Sequence, residues 1–467
     1  MSVPEPSKSA PRIGRTPYGA IGVALFAIKH NLDRVVASFL FDRPWGLFNY
    51  LIPPEHGSNL FSLSGEEQRF YGTLLLVAMP FVVVGVTLTL RRLRDAGLPE
   101  TLVLLFFVPV LNLIFFVVLA VMPSREERHA GPPPGRRLVD RLIPEGPFGS
   151  ALAALLLAGT LGLLATFLGA ALLGQYGWGL FVGLPFATGL LAALIHGHHQ
   201  PRSLGSCLGV AALAPLLLGG LVMAFAMEGV LCLAMAGLIG VPLSVFGGFV
   251  GYVLQLQPRT GASSQAVLLL VALSAPVLMG AEHASPPEAP LLAVTTTEEI
   301  QAPPEVVWRH VVTFSALPPP TEWIFRAGIA YPMRATIDGT GPGAVRHCIF
   351  STGAFVEPIT AWDAPRRLAF GVTAQPPPMQ EWTPWRQVEP LHLNGTLRSE
   401  RGEFRLVARA DGGTRLEGTT WYRHHLWPAV YWQLWSDAII HRIHVRVLGH
   451  IRREAEADSS RTVAKPA

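Results

Sequence analysis

The sequence predicts a chain in two parts: a multi-pass α-helical membrane domain, then an α+β helix-grip domain, in which a curved antiparallel sheet wraps a long C-terminal helix. Three observations carry this prediction. First, apolar runs of about 20 residues recur from Tyr71 onward, each long enough for roughly 30 Å of hydrocarbon. Second, 50% of the 467 residues are hydrophobic and only 15% charged, with a mean hydropathy of +0.38, a balance that soluble chains of this length rarely show. Third, after Ala284 to Pro290 the long runs give way to short alternating stretches, closed by one amphipathic segment.

Composition excludes some functions. The net charge is only +4, and the lysines are Lys8, Lys29 and Lys465. No basic cluster is interleaved with aromatic residues, so nucleic acid is not an expected partner. Cys207, Cys232 and Cys348 follow no metal or redox spacing, and the two in apolar runs, Cys207 and Cys232, read as buried thiols. Arg12 and Arg15 precede an apolar stretch, but Lys29, His30, Asp33 and Arg34 interrupt it, so no cleavable signal peptide is expected.

Residues 1–17 are polar and expected to be disordered. Tyr18 to Phe41 is helical in pattern, and its central ionisable groups face protein or lie along the surface. Arg43 to Arg69 is an interfacial loop. Tyr71 to Leu90 is apolar and stops at RRLRDAG, Arg91 to Gly97; a second run, Thr101 to Met122, is broken by Pro109 and Asn112. This stretch resembles the small bacterial inner-membrane family called domain of unknown function 805. That family carries Arg-Arg-Leu-His-Asp-x-Gly between two apolar segments; here Arg94 stands at the His position. The resemblance implies an inner-membrane domain over 18–123 and brings no chemistry with it.

Residues 124–148 form a loop, and 149–281 hold further spans: Ala151 to Leu173, Trp178 to Ile195, Leu204 to Ala226, Val230 to Leu254 and the shorter Ala266 to Ala281. Basic residues gather in Arg91 to Glu100, Ser124 to Glu145, His196 to Arg202 and Gln255 to Ser264, which the positive-inside rule places in the cytoplasm. The first two loops share a side only if Thr101 to Met122 enters and returns as a hairpin turning at Pro109 to Asn112. If Ala266 to Ala281 also crosses, the C-terminal domain is extracytoplasmic. His196, His198 and His199 have a spacing that could bind a metal, but no second ligand cluster follows, and a solvated loop is the plainer reading.

Residues 282–291 are a stiff linker. Val294 to Ile300 alternates as a strand, and Glu305 to Phe314 is a short amphipathic helix. A second short helix follows over Thr321 to Ala327. Strands are expected at Arg334 to Asp338, Ala344 to Phe350, Phe355 to Trp362, Leu368 to Thr373, Leu391 to Ser399, Glu403 to Ala408 and Arg415 to Tyr422. A long helix starts at Trp427-Pro428, with Trp432, Trp435, Ile439, Ile443 and Val447 as its apolar stripe.

The segments IQAPPEVVWRHV (Ile300 to Val311), GTGPGAVRHCIF (Gly339 to Phe350), ITAWDAPRRLAFGV (Ile359 to Val372) and DGGTRLEGTTWY (Asp411 to Tyr422), with the last helix, are similar to the START-like, or SRPBCC, superfamily of polyketide cyclases and lipid-transfer domains. The resemblance covers 292–453 and leaves 454–467 as a disordered tail. It implies a deep apolar cavity under the last helix and no fixed catalytic set.

Candidate cavity residues are Trp308, Arg346, Glu357, Trp382, Tyr422, Trp432, Trp435, Ile439 and Ile443. Arg346, Glu357 and His347 are polar anchors if they point inward. Asp437, His441 and His444 share one helix face, which a 100° wheel sets opposite the apolar stripe, toward water or a docking partner. Arg423, His424 and His425 stand at the strand–helix corner. The loop TAQPPPMQEWTPW (Thr373 to Trp385) suits a lid or a bilayer contact. Asn394-Gly395-Thr396 reads as a turn before it reads as a glycosylation site. No nucleophile elbow, phosphate loop or paired-cysteine zinc motif occurs, so no catalytic residue, cofactor or metal is assigned. The expected function is binding of a hydrophobic or lipid-like molecule beside the bilayer. The alternatives are a cyclase-like or hydrolytic enzyme on a hydrophobic substrate, and a membrane sensor or transporter.

Overall fold

The computed structural model describes residues 11–51, 65–108, 111–122, 124, 142–256, 261–286, 288–384, 393 and 395–463, in two compact units, the second holding residues 288–467. The first is helical. α1 is Arg15–Phe41, α2 Gly65–Ala96, α3 Leu111–Val121, α4 Pro147–Thr166, α5 Leu184–His196, α6 Leu204–Ala224, α7 Val230–Gln255 and α8 Gly261–Ala284. α4 continues to Leu172 and α5 begins at Gly179 through wider turns. Five helices are long and apolar enough to cross a membrane: Gly65–Ala96, Pro147–Leu172, Gly179–His196, Leu204–Ala224 and Val230–Gln255. α5 is the central one, with every residue from Phe186 to His196 buried. The others expose large apolar side chains such as Leu76, Leu156, Leu216 and Leu238, as lipid-facing helices do.

The segment after α2 is folded back on itself. α2 ends at Gly97, whose φ of +66° a side chain would strain. Leu98 N–H bonds Leu93 C=O and Gly97 N–H bonds Arg94 C=O, which is the Schellman closure. A tight helix, Glu100–Phe107, then precedes α3. Arg92, in the last turn of α2, donates to the carbonyls of Leu119 (2.9 Å) and Met122 at the far end of α3, and pairs with Asp95. Arg94 pairs with Glu100 at 2.9 Å, where the segment begins. Both ends of residues 100–122 therefore sit beside one end of α2. An 11-residue α3 rises about 16 Å, half a bilayer core.

His196 is not in a solvated loop. It is buried, with Nδ1 3.0 Å from Ser150 Oγ and Nε2 2.7 Å from Ser206 Oγ, while His199 Nε2 reaches Ile143 C=O at 2.7 Å. The apolar run simply carries His196 into the end of the bundle, where two serines satisfy it.

The second unit contains one seven-stranded antiparallel sheet in the order β1-β7-β6-β5-β4-β3-β2. The strands are β1 Leu292–Ile300, β2 Pro332–Asp338, β3 Val345–Phe350, β4 Gly353–Asp363, β5 Arg367–Gly371, β6 Leu397–Ala408 and β7 Thr414–His424. Two short helices, α9 Pro304–Val312 and α10 Trp323–Arg326, separate β1 from β2, and α11 is Ala429–Val463. This is the expected helix grip.

Two boundaries differ from expectation. The strand expected at Glu403 to Ala408 and the end of that expected at Leu391 to Ser399 are one strand, β6, which starts at Leu397 and has a bulge between Ser399 and Arg401; Leu391, His392 and Asn394 lie outside the described residues. A bulge shifts the alternation by one residue and so reads as a break. α11 runs to Val463, ten residues beyond Arg453, so the region after 453 begins as helix and not as a disordered tail. Its extra turns are held by Glu456, which accepts from Gln301 N–H at 3.0 Å, and by Asp458, 3.0 Å from His310 Nε2.

Candidate functional site: the interior of the helix grip

The inward face of the sheet is fixed by strand alternation. On β7 it carries Thr414, Leu416, Gly418, Thr420, Tyr422 and His424; on β6 Leu406, Phe404, Gly402, Ser399 and Leu397; on β3 and β4 Arg346, Cys348, Phe350 and Glu357, Phe355. α11 runs along this face. Its start lies by Tyr422 and its end by Ile300.

The two ends of the interior differ. At the Ile300 end the side chains close on one another: Ile300, Val307, Leu368, Leu416, Leu448 and Ile451 are fully buried. Trp308 belongs to this packed core, edge-on to Trp362 at 5.6 Å, so it lines no opening. At the Tyr422 end, inward-facing Leu397, Ser399, Phe350 and Phe355, and Ile440 of α11, are only half-buried. Gly402 lets the ring of Phe370, its partner across the strand pair, pack directly on its backbone, where a Cβ would clash.

Arg346 and Glu357 both point inward, as direct cross-strand partners that form a buried ion pair. The guanidinium also donates to Val312 C=O at 3.2 Å and lies 5.4 to 5.5 Å from the rings of Phe314, Phe370 and Phe404. Burial pushes the Glu357 carboxyl up, and Arg346 opposes that shift. The neighbouring Cys348 thiol is pushed up to about 12 by burial, then by Glu357, and is inert at neutral pH. His347 faces out, 3.4 Å from Asp338.

The face of α11 that bears Asp437, His441 and His444 is turned onto the sheet, contrary to expectation. Tyr422 donates to Asp437 at 2.6 Å, and Gln433 donates to the same carboxylate at 3.3 Å. Thr296 Oγ1 of β1 meets His441 Nδ1 at 2.8 Å and His444 Nδ1 at 3.1 Å; Thr420 Oγ1 meets His444 Nε2 at 2.8 Å. Burial lowers His444 to about 4, with a smaller push from His441, and raises Asp437 against its two donors. The apolar stripe divides instead. Trp432 and Val447 are buried, while Ile439 and Ile443 pack on Ile324, Phe325, Ile329 and Met379, beside α10. A wheel finds two faces but cannot tell which one the sheet takes.

Trp382 is 60% exposed. Its loop is tied down elsewhere, through Gln380 N–H to Gly328 C=O at 2.8 Å and Ala330 N–H to Pro378 C=O at 3.0 Å. Trp385 and Asn394 lie outside the described residues. At the corner, Arg423 donates to Ala289 C=O and His425 is exposed. His424 is wholly buried, and neither ring nitrogen makes a well-aligned hydrogen bond. Burial lowers it to about 4, offset in part by the Leu426 backbone. Thr296 and Thr420 were missed in the sequence; threonines alternating in a strand carry no mark of what faces them. Among the described residues no group of three or more His, Cys, Asp or Glu could hold a metal ion.

A helical bundle with membrane-length spans, joined to a helix-grip domain, is thus the class this chain defines. Residues 9–130 match the family model described as Protein of unknown function (DUF805). A search of the curated proteins finds no match. Among solved structures the chain is similar to a protein from Nitrosospira multiformis, at 17% identity, covering 36% of this chain and 99% of that one with a TM-score of 0.23. It is also similar to a point mutant of Thalictrum flavum norcoclaurine synthase, at 9% identity, 37% and 98% coverage and a TM-score of 0.25. The crystal structure of Ara h 8.0201 matches at 13% identity, 37% and 99% coverage and a TM-score of 0.23.

Proposed function

We propose that the helix-grip domain takes up a hydrophobic, lipid-like small molecule, and that the helical bundle keeps this domain at the bilayer that supplies it. The observation that carries the reading is the contrast between the two ends of the interior. Large inward-facing side chains, Phe350, Phe355, Leu397 and Ile440, keep accessible surface although they lie between α11 and the sheet. Apolar surface left open inside a domain costs about 25 cal/mol per Å² and is recovered when an apolar molecule covers it. Tethering to the membrane raises the local concentration of such a molecule.

A second reading, an enzyme acting on the held molecule, is favoured by the polar groups at the same end, Tyr422, His424 and Asp437. One experiment addresses both. Full-length protein in micelles is subjected to native mass spectrometry and solvent extraction. Retention of one apolar molecule, lost in a Ser399→Trp variant that fills the open end, is the expected result. Extraction of a chemically altered form of an added lipid favours the enzyme. Protein that takes up nothing from a lipid series contradicts both.

A further inference from the structure

We propose that the Tyr422 end of the interior is a head-group site for an uncharged, hydroxyl-bearing amphiphile, with His424 as its hydrogen-bonding partner. The proposal rests on the ligand reading above and adds which end of the molecule sits there. His424 occupies an inward position on β7, two residues beyond Tyr422, whose hydroxyl reaches α11. Its ring lies 6.2 Å from the Tyr422 ring at 31°. It is 0% exposed, and neither nitrogen makes a well-aligned hydrogen bond, although the Leu426 backbone lies close enough to act on the ring. Buried polar groups are almost always paired, and one left bare marks a place where a partner belongs.

The chemistry of that partner follows from what surrounds the ring. A neutral imidazole offers one donor and one acceptor, and a hydroxyl offers one of each in return. The other polar groups at this end are already engaged. Tyr422 and Gln433 donate to Asp437, Ser436 Oγ donates to Trp432 C=O at 2.9 Å, and Arg423 donates to Ala289 C=O. No guanidinium or ammonium among the described residues here is left to hold an anion, and His424 stays neutral at pH 7 because burial holds it near 4. A carboxylate would meet no cation and would approach Asp437. Leu397 and Ile440 flank the site and provide apolar surface for a tail.

The test offers full-length protein in micelles an equimolar mixture of 1-tetradecanol, myristic acid and methyl myristate at pH 7, with adducts counted by native mass spectrometry. The alcohol is expected to be preferred by about tenfold, the worth of one or two net hydrogen bonds. His424→Phe should bring the three ligands within about twofold of one another while still binding them, and His424→Gln, which keeps a donor and an acceptor, should retain the preference. If all three bind alike in the wild type, or if His424→Phe keeps the preference, the head-group assignment is wrong and the ligand reading stands. If none binds, the ligand reading falls and this inference falls with it. The wild-type preference decides the matter even if the Phe variant does not fold.

Discussion

Tyr422 on β7 donates its hydroxyl to the Asp437 carboxylate on α11 at 2.6 Å, joining the sheet to the first turns of the helix that covers it. Both groups lie in the interior, and burial raises the pKa of each; for Tyr422 the bond to Asp437 adds to the rise. Tyr422→Phe removes the donor and leaves a half-buried carboxylate oxygen unmet. It should cost about 1–3 kcal/mol, read as a Tm lower by several degrees in full-length protein. Asp437→Asn, which keeps an acceptor for the phenol, should cost less. Equal losses would mean that the bond does not hold the helix.

Arg346 and Glu357 form the one ion pair among the described residues in which both side chains are buried. Breaking such a pair from one side strands a charge, at about 3–5 kcal/mol, whereas removing both charges together is often neutral. Arg346→Met should therefore unfold the helix-grip domain more readily than Arg346→Met combined with Glu357→Leu. Thermal unfolding of the two single variants and the double completes the cycle. Additive losses would show that the charges do not act as a pair.

Residues 100–122 enter and leave beside one end of α2, because Arg92 reaches the carbonyls of Leu119 and Met122 and Arg94 reaches Glu100. Single cysteines at exposed Pro99 and at Ala130 should thus label from the same side of the membrane. The native Cys207, Cys232 and Cys348 are buried and should remain silent. Labelling from opposite sides would require a crossing and would contradict the hairpin.

Much of this was legible in the sequence because it rests on period and composition. Apolar runs located the spans, and short alternating runs between turn residues located the strands. The hairpin was suggested by loop charge, since Arg91 to Glu100 and Ser124 to Glu145 share a side only with it; its expected turn includes Pro109 and Val110, which lie outside the described residues. What the sequence could not show was which of two helix faces the sheet would grip. α11 is held on both, by Thr296 and Thr420 on the polar side and by Ile324 and Phe325 on the apolar side. Amphipathicity marks water against core, and here both faces meet protein. Trp382 is 60% exposed, which fits the lid or bilayer reading of its loop better than a place inside the domain. His424 was recognised only as a corner residue, because a bare imidazole is visible only when its surroundings are.

The histidines under α11 make the domain sensitive to acid. Burial lowers His424 and His444 to about 4, and lowers His450, which bonds Ser315 Oγ at 3.0 Å, in the same direction. In the unfolded chain each returns to about 6.5. Between these values the unfolded state binds more protons than the folded state, so stability rises with pH. The contribution is complete above about pH 6.5 and is lost as pH falls toward 4, on the order of 3 kcal/mol for a fully buried group such as His424. Asp437, shifted upward, works against this just above its unfolded value, where the folded state holds the extra proton. The net expectation is a fall in the Tm of the full-length protein between pH 7 and pH 4.5, followed by tryptophan fluorescence. His444→Gln should flatten the profile, because Gln can still bond Thr420 and cannot take up a proton. A profile that is already flat in the wild type, or one that His444→Gln leaves unchanged, would mean that these rings are not the groups through which acid acts.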